Sequence, residues 1–372
     1  MQVTKHKKYK YIYNLRGLLE KCDCVDIIEE SAERLHNKLI RADINKLIIS
    51  DYTKMFLGKN LANIHGLLKI CTYQFVLALQ GNSKPINDQT MIDYGGGWGL
   101  ISLLAKEIGF KNVIYNDIYD ISCSDAQTIA KELACEANHY VEGDIEDLKD
   151  FINSHGIDCD LLISNDVIEH IYDVENFIKK MSELSDGFFN AVMASDANGY
   201  NPLRRRYLMK RQNQKEYKSR EKSWGHKERD SLEAFCNIRE KIIRTAAPSL
   251  SSNIVHELTM ATRGMNEYDI IKSTNEYLDF GKMPKLPGHP TNTCDPRTGN
   301  WEEHLMTKSF LERSFTSVGF EFKFVNGYYG AVSSNILKKY LGAVLNFLIV
   351  FFRSWGIVFS PYYVICVKID KS

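Results

Sequence analysis

Four glycines within five residues, in Asp93-Tyr94-Gly95-Gly96-Gly97-Trp98-Gly99, separate a short apolar run from the amphipathic stretch that starts at Leu100. Such a segment suits a strand that must turn sharply into a helix, with no side chains to keep a ligand off its backbone. A nucleotide-like ligand is the natural occupant of that kind of turn. A dinucleotide-binding G-x-G-x-x-G pattern would need glycine at position 100, where Leu100 stands, so the segment reads as D-x-G-x-G-x-G instead.

The pattern around the turn repeats. Short apolar runs at Thr90 to Asp93, Asn112 to Asn116, His139 to Glu142, Asp160 to Ser164 and Gly187 to Ala194 alternate with helical patterns, notably Leu100 to Ile108 and Val174 to Leu184. Strands spaced by amphipathic helices predict an α/β fold, a parallel sheet with helices on both faces. From about Tyr11 to Gln80 apolar residues recur at helical spacing (Ile64, Leu67, Leu68, Cys71, Phe75, Leu79) and predict a helical N-terminal extension. From Asp196 to about His304 the alternation stops, then a helix and strand resume around Ser309 to Val325. That stretch is too long for a loop and predicts an inserted, mainly helical subdomain.

The strand ends carry acids. The second strand closes on Tyr115-Asn116-Asp117-Ile118, where the Asp117 carboxylate beside the glycine turn suits two ribose hydroxyls. The third closes on Gly143-Asp144-Ile145, and the fourth leads into Asn165-Asp166-Val167-Ile168-Glu169-His170-Ile171. Together with D-x-G-x-G-x-G, these segments resemble, in order, the motifs of class I S-adenosylmethionine-dependent methyltransferases. The last resembles the E-V-L-E-H segment of the ubiquinone-biosynthesis-type small-molecule methyltransferases.

The resemblance runs motif by motif from Met91 to Ala194 and more loosely from Ser309 to Lys368. It implies a Rossmann-like, seven-stranded, mostly parallel sheet and S-adenosyl-L-methionine as cofactor. The implied cofactor residues are Asp93, Gly95, Gly96, Gly97, Trp98 and Gly99 in the turn, and Asp117 and Ile118 at the ribose. Asp144 and Ile145 follow at the adenine, and Asn165 and Asp166 after the fourth strand. The expected division is a helical extension at 1–88, a cofactor-binding core at 89–197 and 306–372, and an inserted substrate-binding or lid subdomain at 198–305.

Methyl transfer to a hydroxyl requires alignment of the acceptor, exclusion of water and removal of a proton. Candidates for that work lie in the turn-rich stretch Pro287 to His304, where His289, Asp295, Glu303 and His304 fall close together, and at His170. Arg204, Arg205, Arg206, Arg229 and Arg239 are candidates to grip a phosphate on the acceptor, with a solvated helix face as the alternative. No standard metal-ligand spacing is present, and no metal is expected.

Forty-seven basic residues balance forty-seven acidic ones, so no global field favours nucleic acid. No [DN]-P-P-[YFW] segment follows the fourth strand, which argues against nucleic-acid amino methylation, and the double-Glu loop of protein arginine methylation is absent too. Nine cysteines without a CxxC pair, and an N-terminus without an apolar h-region, point to a reducing cytoplasm. Leu341 to Val367 is strongly apolar with Arg353 as its one charge before Lys368. Ser360-Pro361 divides it into a helix and a closing strand, so neither part spans a bilayer. Core packing is the first expectation for that helix, and peripheral membrane contact through 341–359 the second. The function expected is methylation of a small molecule, phosphorylated or lipid-linked, at an oxygen of a sugar or glycan precursor. The alternatives are a lipid-soluble acceptor such as a quinol, or a non-catalytic protein that keeps the fold.

Overall fold

The computed structural model describes residues 9–13, 23–80, 82–221, 231–330 and 336–371. Contacts divide the chain into two compact units. The first comprises Met1–Val167, Glu175–Asp196 and Lys308–Ser372, and the second Ile168–Val174 and Ala197–Thr307.

The first unit is built on a seven-stranded sheet in the order β3-β2-β1-β4-β5-β7-β6. The strands are β1 (Thr90–Tyr94), β2 (Asn112–Asp117), β3 (His139–Glu142), β4 (Leu161–Asn165), β5 (Phe188–Ser195), β6 (Glu321–Asn326) and β7 (Tyr363–Asp370). β1 to β5 pair in parallel, and β7 runs antiparallel between β5 and β6. The α/β expectation holds, and the five expected core strands fall within one residue of their expected bounds. Just before β4 the Asp160 side chain ties the strand starts together, accepting from Thr90 N at 2.8 Å and from Lys84 Nζ at 2.6 Å.

From β1 the chain proceeds to β2 and β3 on one side and then returns to β4 and β5 on the other. In open α/β sheets this reversal leaves a crevice beyond the carboxyl ends of the strands, and ligands bind there. The glycine turn of β1 stands at that point.

Among the described residues three α-helices precede the sheet: α1 (Val25–Arg41), α2 (Asp51–Leu61) and α3 (Ile64–Leu79). α3 is buried at twelve of its sixteen residues. It lies on β4, β5 and β7 and is pinned to the sheet by Gln74 Nε2 donating to Ser164 O at 2.7 Å and Asn190 Nδ2 donating to Ala78 O. A helix that is apolar on nearly all sides needs such cover. α4 (Leu100–Ile108), α5 (Asp120–Glu132), α6 (Ile145–His155), α7 (Val174–Ser182) and α12 (Lys308–Thr316) connect the strands.

The last apolar stretch forms α13 (Ile336–Phe351), a short 3-10 turn at Arg353–Val358 and then β7. The α-helix stops before Phe359 because Arg353 takes a left-handed backbone, φ 50°. The expectation that this helix packs mainly into the core is corrected. Gly342 and Ile349 are buried and Asn346 exchanges two hydrogen bonds with the Tyr329 backbone, whereas Leu341, Val344, Phe347, Val350 and Phe351 are exposed. An apolar helix is apolar on every face, and its neighbours cover only one stripe. No helix among the described residues is long and apolar enough to cross a membrane.

The second unit contains α8 (Pro202–Tyr217), α9 (Phe235–Ala246), α10 (Ser252–Ala261) and α11 (Glu267–Phe280) around a small apolar centre of Ile243, Val255, Leu258 and Ile270. Residues 281–307 follow as an irregular segment with a single bridge between Cys294 and Trp301.

Phe75 on α3 is fully buried and packs against Phe110 at 5.8 Å between ring centroids. Phe75→Ala is expected to lower stability by about 3–5 kcal/mol in urea unfolding, the usual cost of emptying a core aromatic site. A loss below about 1 kcal/mol would show that α3 is a peripheral addition to the sheet.

Candidate functional site

The turn after β1 is shaped by two close constraints. A Cβ on Gly96 would lie 2.5 Å from the Tyr115 ring and 2.8 Å from Asp93 Oδ2, so only glycine fits. Gly97 has φ 56° and open space on its Cβ side, which leaves its backbone accessible. Gly96 N donates to Asn116 O at 2.9 Å and Gly99 N to Gly96 O at 2.8 Å, and Gly99 is the N-cap of α4. The Tyr115 hydroxyl donates to Gly97 O, closing the turn over β2. Tyr115 escapes sequence reasoning because a parallel strand buried on both faces shows no alternation to mark which side chain lies under a loop.

The acids implied by the resemblance fall along one edge. Asp93 is fully buried, and its Oδ2 accepts from Ser102 N at 2.9 Å and Ser102 Oγ at 2.7 Å, fastening the first turn of α4. Its Oδ1 has no hydrogen-bond partner among the described residues. Burial pushes the Asp93 carboxyl up to about 7, against the bonds from Ser102 and with the charge of Asp117 adding to the rise. Asp117, at the end of β2, accepts from Gly97 N at 3.0 Å and Tyr119 N at 3.1 Å. Each carboxylate oxygen keeps a further lone pair for a ligand.

Beyond these, Ile118 is half-exposed, Asp144 caps α6 through Glu146 N at 2.8 Å, and Ile145 is buried at the start of that helix. Asn165 closes β4, and Asp166 follows with φ 56°, its Oδ1 accepting from Asp196 N at 3.0 Å. Trp98 is buried and packs into the apolar core. Asp93 and Asp117 thus lie in the last two residues of β1 and β2, and Asp144 and Asp166 just past β3 and β4, at the carboxyl ends of four adjacent strands. Three strand spacings of about 4.8 Å make that edge about 14 Å long, the scale of a nucleoside with a short side chain. A separate polar depression of about 450 Å³ sits at the opposite, amino ends of the strands, lined by Lys84, Asp88, Lys111 and His139, away from the turn.

The catalytic candidates all lie in the second unit. His170 Nδ1 faces Trp301 O at 2.8 Å, so that nitrogen carries the proton in the neutral ring. Trp301 N donates back to His170 O, and Trp301 Nε1 donates to Tyr172 O. His304 stacks on Trp301 at 4.2 Å between centroids, and its N donates to Glu169 O. The His304 Nδ1 is buried without a hydrogen-bond partner among the described residues. Burial and the nearby His289 lower the His304 imidazole to about 4. His289 is lowered too, by burial and then by Arg205 and Arg263, and its Nδ1 accepts from Asn292 N at 3.1 Å and Thr291 N at 3.3 Å.

The acidic candidates are engaged otherwise. Asp295 accepts from Ser231 N, Ser231 Oγ and Arg297 N within 3.0 Å, which makes it the clasp of its own turn. Glu303 has φ 53° and pairs with Arg211 at 3.2 Å, while Glu302 pairs with the same guanidinium at 2.7 Å. Arg239 is buried on Glu216 and is unavailable to an acceptor phosphate, which corrects that expectation. Arg205 and Arg206 stay exposed on α8, and Arg229 lies outside the described residues.

Three residues the sequence did not single out hold this segment. Gln212 Nε2 donates to Asn292 Oδ1, Glu302 O and Glu303 O, and its Oε1 accepts from Thr291 Oγ1. Arg263 binds Asn292 O and Thr291 O, and Glu216 accepts from Thr293 Oγ1 at 2.7 Å. Their one signal is Gln212 and Glu216 at helical spacing, i and i+4, and on a helix as polar as α8 that pair reads as solvated.

Residues 92–189, from β1 into β5, match the family model described as a methyltransferase domain. The sequence has no significant match among curated proteins. Among solved structures, an S-adenosylmethionine-dependent methyltransferase from Mesorhizobium loti is 12% identical, with 77% of this chain and 93% of that chain covered at a TM-score of 0.35. The plantazolicin methyltransferase BpumL in complex with SAH is 12% identical, with 94% and 99% covered at 0.38. The magnesium protoporphyrin IX methyltransferase from Synechocystis PCC 6803 with bound SAH is 21% identical, with 35% and 58% covered at 0.27. At these scores none of the three bears on this chain's reaction or acceptor.

A carboxyl that ionises near 3.8 when unfolded but near 7 when folded weakens the fold as pH rises between those values. Asp93→Asn keeps an acceptor oxygen for Ser102 and removes the titration. Relative to that variant, the native protein is expected to lose on the order of 1–4 kcal/mol from pH 4 to pH 7.5. Urea midpoints across that range check it, and parallel pH profiles would overturn it.

Proposed function

We propose that this protein, whose residues 92–189 match a methyltransferase domain, takes S-adenosylmethionine as cofactor and methylates a small-molecule acceptor recognised by its second unit. The acceptor atom we assign is an oxygen of a sugar or glycan precursor.

The observation that carries the reading is the carboxyl edge of the sheet. There the accessible Gly97 backbone, the partnerless Asp93 Oδ1 and the Asp117 carboxylate meet at the switch point of an α/β sheet. When bound, the cofactor supplies an electrophilic methyl group on a sulfonium. Asp117 accepts from ribose hydroxyls, Asp144 accepts from the adenine amino group, and Ile118 and Ile145 flank the base. These acids also favour a cationic ligand over a neutral one.

Support for the acceptor half comes from the second unit. His289 and His304 are both lowered, which favours the neutral ring, and the buried His304 Nδ1 has no hydrogen-bond partner among the described residues. A neutral imidazole of this kind can take the proton of a hydroxyl acceptor. Asp295 and Glu303 hold the loop that presents these rings. A quinol-like acceptor is the second reading, and the exposed apolar face of α13 favours it.

Calorimetry with S-adenosylmethionine, with NAD as control, tests the cofactor half. Asp117→Ala is expected to weaken binding about tenfold to a hundredfold, the worth of bonds to a charged acceptor. NAD binding in place of S-adenosylmethionine would overturn the reading. For the acceptor half, S-adenosylhomocysteine formation is measured over sugar nucleotides and quinols. His289→Ala and His304→Ala are expected to leave cofactor affinity unchanged and to slow turnover, by about a hundredfold for the ring that takes the proton. Full turnover in both variants would exclude that role.

A further inference from the structure

We propose that α13 is an interfacial helix that seats the protein on an anionic lipid surface. The helix carries no acidic residue, and along it Leu337, Tyr340, Leu341, Val344, Phe347 and Phe351 are exposed, with Trp355 beyond its end 77% exposed. Apart from the adjacent pair Tyr340 and Leu341 the positions recur every three or four residues, so they form one stripe, and among the described side chains of the helix Gly342 and Ile349 are the buried ones. An apolar stripe of this size in water marks an interaction surface.

Charge selects the occupant. No Asp or Glu occurs anywhere in 322–369, whereas Lys338 and Lys339 stand in the first turn of α13 and Arg353 just past its end. In the sequence, basic residues thus flank the stripe on both sides, and large aromatic side chains lie along it. That is the make-up of a helix lying in the plane of a bilayer, apolar face in the acyl boundary and cations at the anionic headgroups. Sixteen residues of α-helix are about 24 Å long, too short for a span and sufficient for an in-plane seat. A second copy of the chain fits less well. Pairing two copies through this segment would gather Lys338, Lys339 and Arg353 of both chains, with no carboxylate in 322–369 to offset them.

The test is vesicle flotation of the full chain with phosphatidylcholine alone and with phosphatidylcholine mixed with phosphatidylglycerol, at low and high salt, beside light scattering without lipid. Binding to the mixed vesicles that falls with salt, and a monomer in solution, are expected. Phe347→Glu is expected to weaken vesicle binding about tenfold or more, and Arg353→Gln a few-fold. Unchanged affinity for S-adenosylmethionine shows that each variant is folded. Equal binding to neutral vesicles, no binding to either, or a dimer that Phe347→Glu dissociates would each overturn the proposal.

Discussion

The carboxyl edge of the sheet depends on how closely the turn after β1 approaches β2. Gly96 lies against the Tyr115 ring, the Tyr115 hydroxyl ties down Gly97 O, and Gly96 N reaches Asn116 O. That contact sets where α4 begins, because Asp93 at the end of β1 fastens the Ser102 end of the first helical turn. It also sets the reach of Asp117, which bonds Gly97 N from the neighbouring strand. One side chain added at Gly96 would therefore disturb the helix start, the turn and the β2 carboxylate together.

The second unit solves a different problem. Its apolar centre is small, and the segment that carries His289 and His304 has no regular ladder to satisfy its backbone. Buried polar side chains do that work: Gln212 and Arg263 bond carbonyls at Thr291, Asn292, Glu302 and Glu303, and the Glu216–Arg239 pair is fully buried. Burial alone would raise the Glu216 carboxyl, yet the Arg239 bonds outweigh it and hold it below its ordinary value. Buried ion pairs of this kind contribute little net stability, and losing one partner is costly. They suit a segment that must take one shape without a large core.

Much of the first unit was legible in the sequence because its signals are local. Four glycines in a strand-to-helix turn, acids at Asp117 and Asp144, and alternating apolar runs each report their own element, and the sheet joins them in the expected order. Tyr115, Gln212 and Arg263 were not legible, since their importance lies in partners 18 to 91 residues away. Asp295 and Glu303 show the converse. A carboxylate near histidines looks chemical in a sequence, and only the bonds to Ser231 and Arg211 reveal a structural duty.

The balanced net charge conceals a division that matters more than its sum. Acids gather at the strand ends around the glycine turn, while five cations and no acid fall between 322 and 369. Fields are local in salt solution, decaying within about 10 Å, so each region meets its surroundings on its own terms. The acidic edge favours a cation, and the apolar, acid-free α13 is compatible with a negatively charged surface that would repel that edge. Hydropathy could not separate the two roles of an apolar helix, core filler and exposed face, because both need the same residues. The decision rests on where the neighbours of α13 end, at Gly342 and Ile349, and that is a property of the folded chain alone.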